Sequence, residues 1–221
     1  MAKANQRSVK PLVPNLSGPL ADRFRVLYEE SQKFCESVGL QKDLIIAILR
    51  TDSDWAFILK VDALLESASK HILRRGLRIR LLRRNFQNDT LEEFVDSLPM
   101  NGRTSLLKLL EAAGLPPEEL GFVEVTRLVR NAFAHNIEYA GLNLIELVKM
   151  RPDKSRLIKH LSAIRTYDEA SLIADYEKDP SFLRFCIIDS TMRVLFYAYH
   201  LAVKERAAGA RPSPKSQPAR G

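Results

Sequence analysis

The chain has 221 residues, 46% of them hydrophobic and 28% charged, which suits one large globular domain and excludes a disordered chain. Its net charge of +7 invites a nucleic-acid partner. However, Lys3, Arg7 and Lys10 at one end, with Lys204, Arg206, Arg211, Lys215 and Arg220 against Glu205 at the other, carry the whole excess, and residues 11–203 balance at 26 basic to 26 acidic.

Residues 1–20 hold Pro11, Pro14, Gly18 and Pro19 and are expected to form an extended or disordered basic arm. From about Leu20 to Val38, Phe24, Leu27, Tyr28, Phe34 and Cys35 recur at helical spacing. A second helix is predicted after "TDSD", with Ser53 or Asp54 as N-cap. Its apolar face would hold Phe57, Leu59, Val61, Leu64, Leu65, Ala68 and Ile72. The arginine-rich "RRGLRIRLLRRNF" follows. A short helix is expected at "TLEEFVDSL", with Thr90 and Glu93 as a capping box, then another at "TSLLKLLEAAG", stopped by Gly114. "LPPEEL" places proline and two glutamates at the start of a long helix, which should end near Gly141. Shorter helices at about 142–150 and 154–165 flank Pro152, and "DEASLIADYEKD" and the apolar 181–204 complete the set. No strand pattern or internal repeat is visible. The expectation is an all-α domain over 21–206, with residues 207–221, rich in proline and lacking large apolar side chains, as a disordered basic tail.

Two cysteines, Cys35 and Cys186, sit in apolar helical surroundings without framework spacing, as in a reducing cytoplasm. The N-terminus lacks an apolar signal core. Asp189 and Arg193 interrupt the most apolar run, so no membrane span is expected. Histidines 71, 135, 160 and 200 are scattered, and no His/Cys pair has ligand spacing, so neither metal nor cofactor is expected. A glycine-rich phosphate loop and a serine-hydrolase elbow are also absent.

The stretch "LVRNAFAHNIEY" (128–139) stands out. Winding the helix at about 100° per residue puts Phe122, Val125, Val129, Ala132, Phe133 and Ala140 on one core face. Glu124, Arg127, Asn131, Ala134, His135 and Glu138 fall opposite, with Arg130 at the flank. Asn131 and His135 are four apart and within reach of each other. Arg130 and His135 are roughly 140° apart on an ideal helix, so their convergence needs the arginine's length, a distorted last turn or a second copy of the chain. A histidine on a polar helix face is, by periodicity alone, an ordinary solvated histidine.

"RNAFAH" (Arg130 to His135) resembles the R-x4-6-H motif of the HEPN superfamily of helical domains. A long helix before it and the leucine-rich helix with "AAGLPPEE" leading into it agree with that context. The run from about 24 to 138, roughly half of the chain, resembles the mannitol operon repressor-like branch. The resemblance implies a HEPN-like helical bundle, here with additional C-terminal helices, commonly dimeric with motif helices of two protomers lining one cleft. Many members are metal-independent endoribonucleases, several of them toxins or antiphage effectors. The implied roles are a catalytic pair in Arg130 and His135 with Asn131 as the supporting polar residue. The implied partners are RNA, a second copy of the chain, and an antitoxin or regulatory protein. Other members have lost nuclease activity and act as binding or regulatory modules, which is the competing expectation.

Arg74, Arg75, Arg78, Arg80, Arg83 and Arg84 form the one dense basic cluster of the body and, with Arg127, are the candidates for RNA contact. The alternative is a solvated helix face with buried stems, because Leu77, Ile79, Leu81 and Leu82 are interleaved and "NDTLEEFVD" can neutralise it locally.

Overall fold

The computed structural model describes residues 19–81, 88–162 and 168–208, and the described residues are helical with no strand. The basic arm, apart from Pro19 and Leu20, and the tail from 209 onwards lie outside the described residues.

In chain order the helices are α1 (Pro19–Ser37), α2 (Leu44–Leu49), α3 (Asp54–Leu81), α4 (Asn88–Ser97), α5 (Leu106–Ala112) and α6 (Pro117–His135). After a 3-10 segment at Ile137–Gly141 come α7 (Leu144–Met150), α8 (Lys154–Leu161), α9 (Glu169–Lys178) and α10 (Pro180–Ala208). Local chemistry accounts for most of the boundaries. The Ser53 hydroxyl accepts the Ala56 amide at 3.2 Å and caps α3, as expected. Ser105 caps α5 through the Lys108 amide. Gly114, at φ +94°, takes the left-handed turn that stops the chain after α5. Pro117 opens α6 at a position where its missing amide costs nothing. One expectation is corrected. α4 begins at Asn88, so Thr90 lies inside the first turn and cannot be the N-cap of a capping box with Glu93. The capping box instead occurs at α7, where Asn143 and Glu146 exchange hydrogen bonds at 2.9 Å.

Helices α3 and α10 form the spine. They run side by side in the same direction, from an Asp54–Arg184 ion pair at one end to Gly76 against Ala202 at the other. A Cβ on Gly76 would stand 3.1 Å from that of Ala202, so the missing side chain is what lets the two helices approach. Helix α6 lies antiparallel along another face of α3, with Arg127 beside Asp62 and Glu66, and the amide of Leu144 on Asp54. The enclosed core includes Phe57, Ile58, Leu65, Phe133, Leu157 and Ile187, all 1% exposed or less. Each contributes on the order of 1.5–3 kcal/mol by leaving water. Both cysteines are buried thiols outside any disulfide, and burial pushes the Cys35 thiol up from its ordinary value. No helix among the described residues is long and apolar enough to cross a membrane.

Candidate functional site

Helix α6 carries the motif. Phe122, Val125, Val129, Ala132 and Phe133 are buried along the face that the helical wheel assigns to the core. The helix stops earlier than periodicity suggests, at His135 rather than near Gly141. Asn136 leaves helical geometry at φ −128°, ψ 96°. Its side-chain amide turns back to donate to the Ala132 carbonyl at 2.9 Å, satisfying one of the orphan acceptors of the last turn. Glu138 and Ala140 therefore ride on the 3-10 segment and not on the α6 wheel.

The arginines of the motif helix turn towards α3. Asp62, buried on α3, lies 3.4 Å from Arg127 and 3.4 Å from the Nε of Arg130, and Glu66 stands 3.7 Å from Arg127. Arg127 is thus half-buried between two carboxylates, not spread on an open polar stripe. Burial pushes the Asp62 carboxyl above its usual range, and the two guanidiniums pull against that shift without cancelling it. Arg130 Nη1 also donates to the Asn131 amide oxygen at 3.0 Å. Asn131 therefore supports the arginine, not the histidine that its i,i+4 spacing pointed to. The Arg130 Nε is buried and makes no aligned hydrogen bond. Glu66 is also paired with Lys70 at 2.9 Å, so the cluster of Asp62, Glu66, Lys70, Arg127 and Arg130 carries one net positive charge.

His135 is exposed at the last position of α6, with Ala134 exposed beside it. Two residues on, Ile137 is 88% exposed, the largest exposure among the chain's described large apolar side chains. Within one chain the Arg130 guanidinium is anchored on the α3 side and His135 marks the open helix end. The single copy offers an arginine held in place and a histidine free to meet a ligand or a second protein surface.

The other basic candidates divide. Arg74 is paired with Asp96 of α4, so the acidic segment does neutralise the cluster at that position. Arg75 donates to the Ser37 carbonyl at 2.9 Å and lies over the Tyr199 ring, 5.7 Å from its centre. Both are half-buried and tie α3 to its neighbours. Arg78 and Arg80 lie on the last turn of α3, and Arg83 and Arg84 lie outside the described residues. His71 and His200 are exposed, whereas His160 packs against α6.

Two features escaped the sequence. Asp62 and Glu66 were not singled out, although a carboxylate within the apolar repeat Phe57, Ile58, Val61, Leu65 signals a buried partner for a cation. A cleft at the opposite end of α6, involving His160 and Arg193, left no motif at all. Comparison of the chain with protein-family models, with curated proteins and with solved structures finds no match.

Proposed function

We propose that the C-terminal end of α6 is an RNA-binding site and a metal-independent endoribonuclease centre, completed by a second copy of the chain. The observation that carries this reading is the setting of Arg130. Asp62 at 3.4 Å and Asn131 at 3.0 Å hold it, five residues before an exposed His135. A guanidinium fixed in advance costs less to bring against a phosphate than a free one. The reaction needs no metal. The ribose 2′-oxygen forms a bond to the adjacent phosphorus, the bond to the 5′-oxygen breaks, and a cyclic phosphate remains. The proton leaves the 2′-hydroxyl and another is delivered to the departing 5′-oxygen; an imidazole at position 135 is suited to either transfer. Arg130 stabilises the added negative charge on the phosphoryl oxygens. Because Arg130 and His135 diverge along the helix, the partner copy supplies the complementary member of the pair.

A second reading, a non-catalytic interaction module, draws on a different observation: Arg127 and Arg130 already lie against Asp62, and Arg127 against Glu66. The two separate in a single assay. Full-length protein incubated with end-labelled structured RNA in EDTA should yield fragments ending in cyclic phosphate, and His135→Ala should abolish them while leaving the oligomer intact. Intact RNA with both proteins, across varied substrates, would leave only the interaction module.

A further inference from the structure

Trp55, on the first turn of α3, is the chain's single tryptophan and is 38% exposed. It precedes Asp62 by seven residues, about 20° short of two full turns, so both stand on one stripe of α3. Asp62 is where that stripe meets Arg127 and Arg130 of α6. On α6 the facing stripe runs from Arg127 to Ala134, again seven residues on. Around Asp62 the two stripes close on each other, whereas Trp55 and Ala134 are both exposed. The contact between the two helices thus gives way to an open surface where α6 stops.

The helices run antiparallel, with Arg130 on Asp62 and the Leu144 amide on Asp54, the residue before Trp55. At about 1.5 Å per residue, Trp55 lies roughly 10 Å beyond Asp62 along α3. In the same direction His135 lies roughly 7.5 Å beyond Arg130 along α6. Trp55 and His135 are therefore level to within about 3 Å along the helix axes, both on the open side of Arg130. Among the described residues no aromatic ring and no guanidinium stacks on Trp55. The Arg130 side chain, held by Asp62 and Asn131, keeps 34% of its surface in solvent.

A positioned guanidinium beside an uncovered indole offers a cation for a phosphate and an aromatic face for an unstacked base, the two contacts by which proteins hold single strands. We propose that Trp55 is a stacking platform for a nucleobase flanking the phosphate on Arg130, so that the motif site takes single-stranded RNA, or the loops and ends of structured RNA, and not duplex. This rests on the RNA-binding reading of the motif site and adds the form of RNA it accepts. A duplex keeps its bases stacked on one another and has no free face for the indole. Every base has a π-face, so the contact selects for strandedness and tolerates sequence.

Because the tryptophan is single, its emission reads the contact directly. Full-length protein in EDTA is titrated with a 2′-O-methyl oligoadenylate, which has no free 2′-hydroxyl to attack the phosphate and is not consumed. Anisotropy of an end-labelled oligomer reports binding, and tryptophan emission with the unlabelled oligomer reports stacking. Emission should be quenched along the same curve as the anisotropy, and the oligomer annealed to its complement should leave it unchanged. Trp55→Ala should weaken binding about five- to a hundredfold, the loss of one base–aromatic stack, with the thermal melt unchanged at this surface position. Trp55→Phe, which keeps a ring, should lose much less. Saturable binding with unchanged emission, equal affinity of Trp55→Ala and wild type, or equal quenching by the duplex would overturn the stacking platform while leaving RNA binding at the motif intact. No anisotropy change with any RNA would instead remove the RNA-binding reading, and the platform with it.

Discussion

Replacing Arg184 with methionine should unfold the chain at a markedly lower temperature, because the ion pair it serves is sealed from water. Arg184 is 5% exposed and Asp54 is 7% exposed. The guanidinium reaches Asp54 and the Thr51 carbonyl, stacks over Phe57 at 5.1 Å, and lies 3.4 Å from the Leu49 carbonyl. The other Asp54 oxygen accepts the Leu144 amide. One pair thus ties α10 to the α2–α3 junction and to the start of α7, just after the 3-10 segment that follows His135. Methionine fills much of the volume but leaves Asp54 charged, buried and holding a single donor. Breaking a buried pair in this way costs about 3–5 kcal/mol. At about 2–4 °C per kcal/mol for a domain of this size, Tm should fall by roughly 6–20 °C in a calorimetric scan. Adding Asp54→Asn should return part of that loss, because a neutral amide still accepts from Leu144 and no charge is stranded. A Tm within about 2 °C of wild type, or a double variant less stable than Arg184→Met alone, would refute the reasoning.

Further outcomes follow from other contacts. Gly121→Ala should cost about 1–3 kcal/mol in urea unfolding, because a Cβ there would stand 2.3 Å from the His160 ring; no loss would mean that the ring moves freely. Burial depresses the His160 pKa in the folded state, so the stability it contributes is present above the ordinary histidine value and is lost as pH falls through the folded one. The urea midpoint should therefore fall on acidification from about pH 7.5 to 5, with the His160→Gln variant showing a flatter profile than wild type. Asp62 behaves with the opposite sign: its raised pKa means that stability is fullest below the ordinary aspartate value and declines as pH rises through the folded one. Asp62→Asn should remove that decline and, by releasing Arg130 from the carboxylate that holds it, weaken RNA binding; tighter binding would show that the carboxylate masks the arginines more than it positions them.

The helical architecture was legible because each long helix carries its own punctuation: Ser53 before α3, Gly114 after α5, Pro117 and two glutamates opening α6. What failed were features decided by tertiary partners. Nothing local to "NIEY" reveals that Asn136 will turn back onto Ala132 and end α6 six residues before Gly141. Helix α2 went unseen, since a six-residue apolar segment has no periodicity to read. The core face of α6 was correct, but its polar face was not simply solvated, because a helical wheel knows nothing of Asp62 on another helix. The reach of an arginine and the burial of a carboxylate assembled that cluster, and neither is a spacing. The basic cluster shows the same limit: Arg74 and Arg75 join α3 to Asp96, Ser37 and Tyr199, contacts between 22 and 124 residues apart in the chain.

The central claim is that two copies of the stretch around RNAFAH complete one site, and mixing two inactive variants tests it. Arg130→Ala and His135→Ala, each without cleavage of labelled RNA in EDTA, are unfolded together, refolded and assayed as the mixed oligomer. A shared site predicts that cleavage returns, because one protomer brings His135 and its partner brings Arg130. If the unmixed wild type cleaves and the mixture stays inert, the pair acts within one chain and the composite site is contradicted.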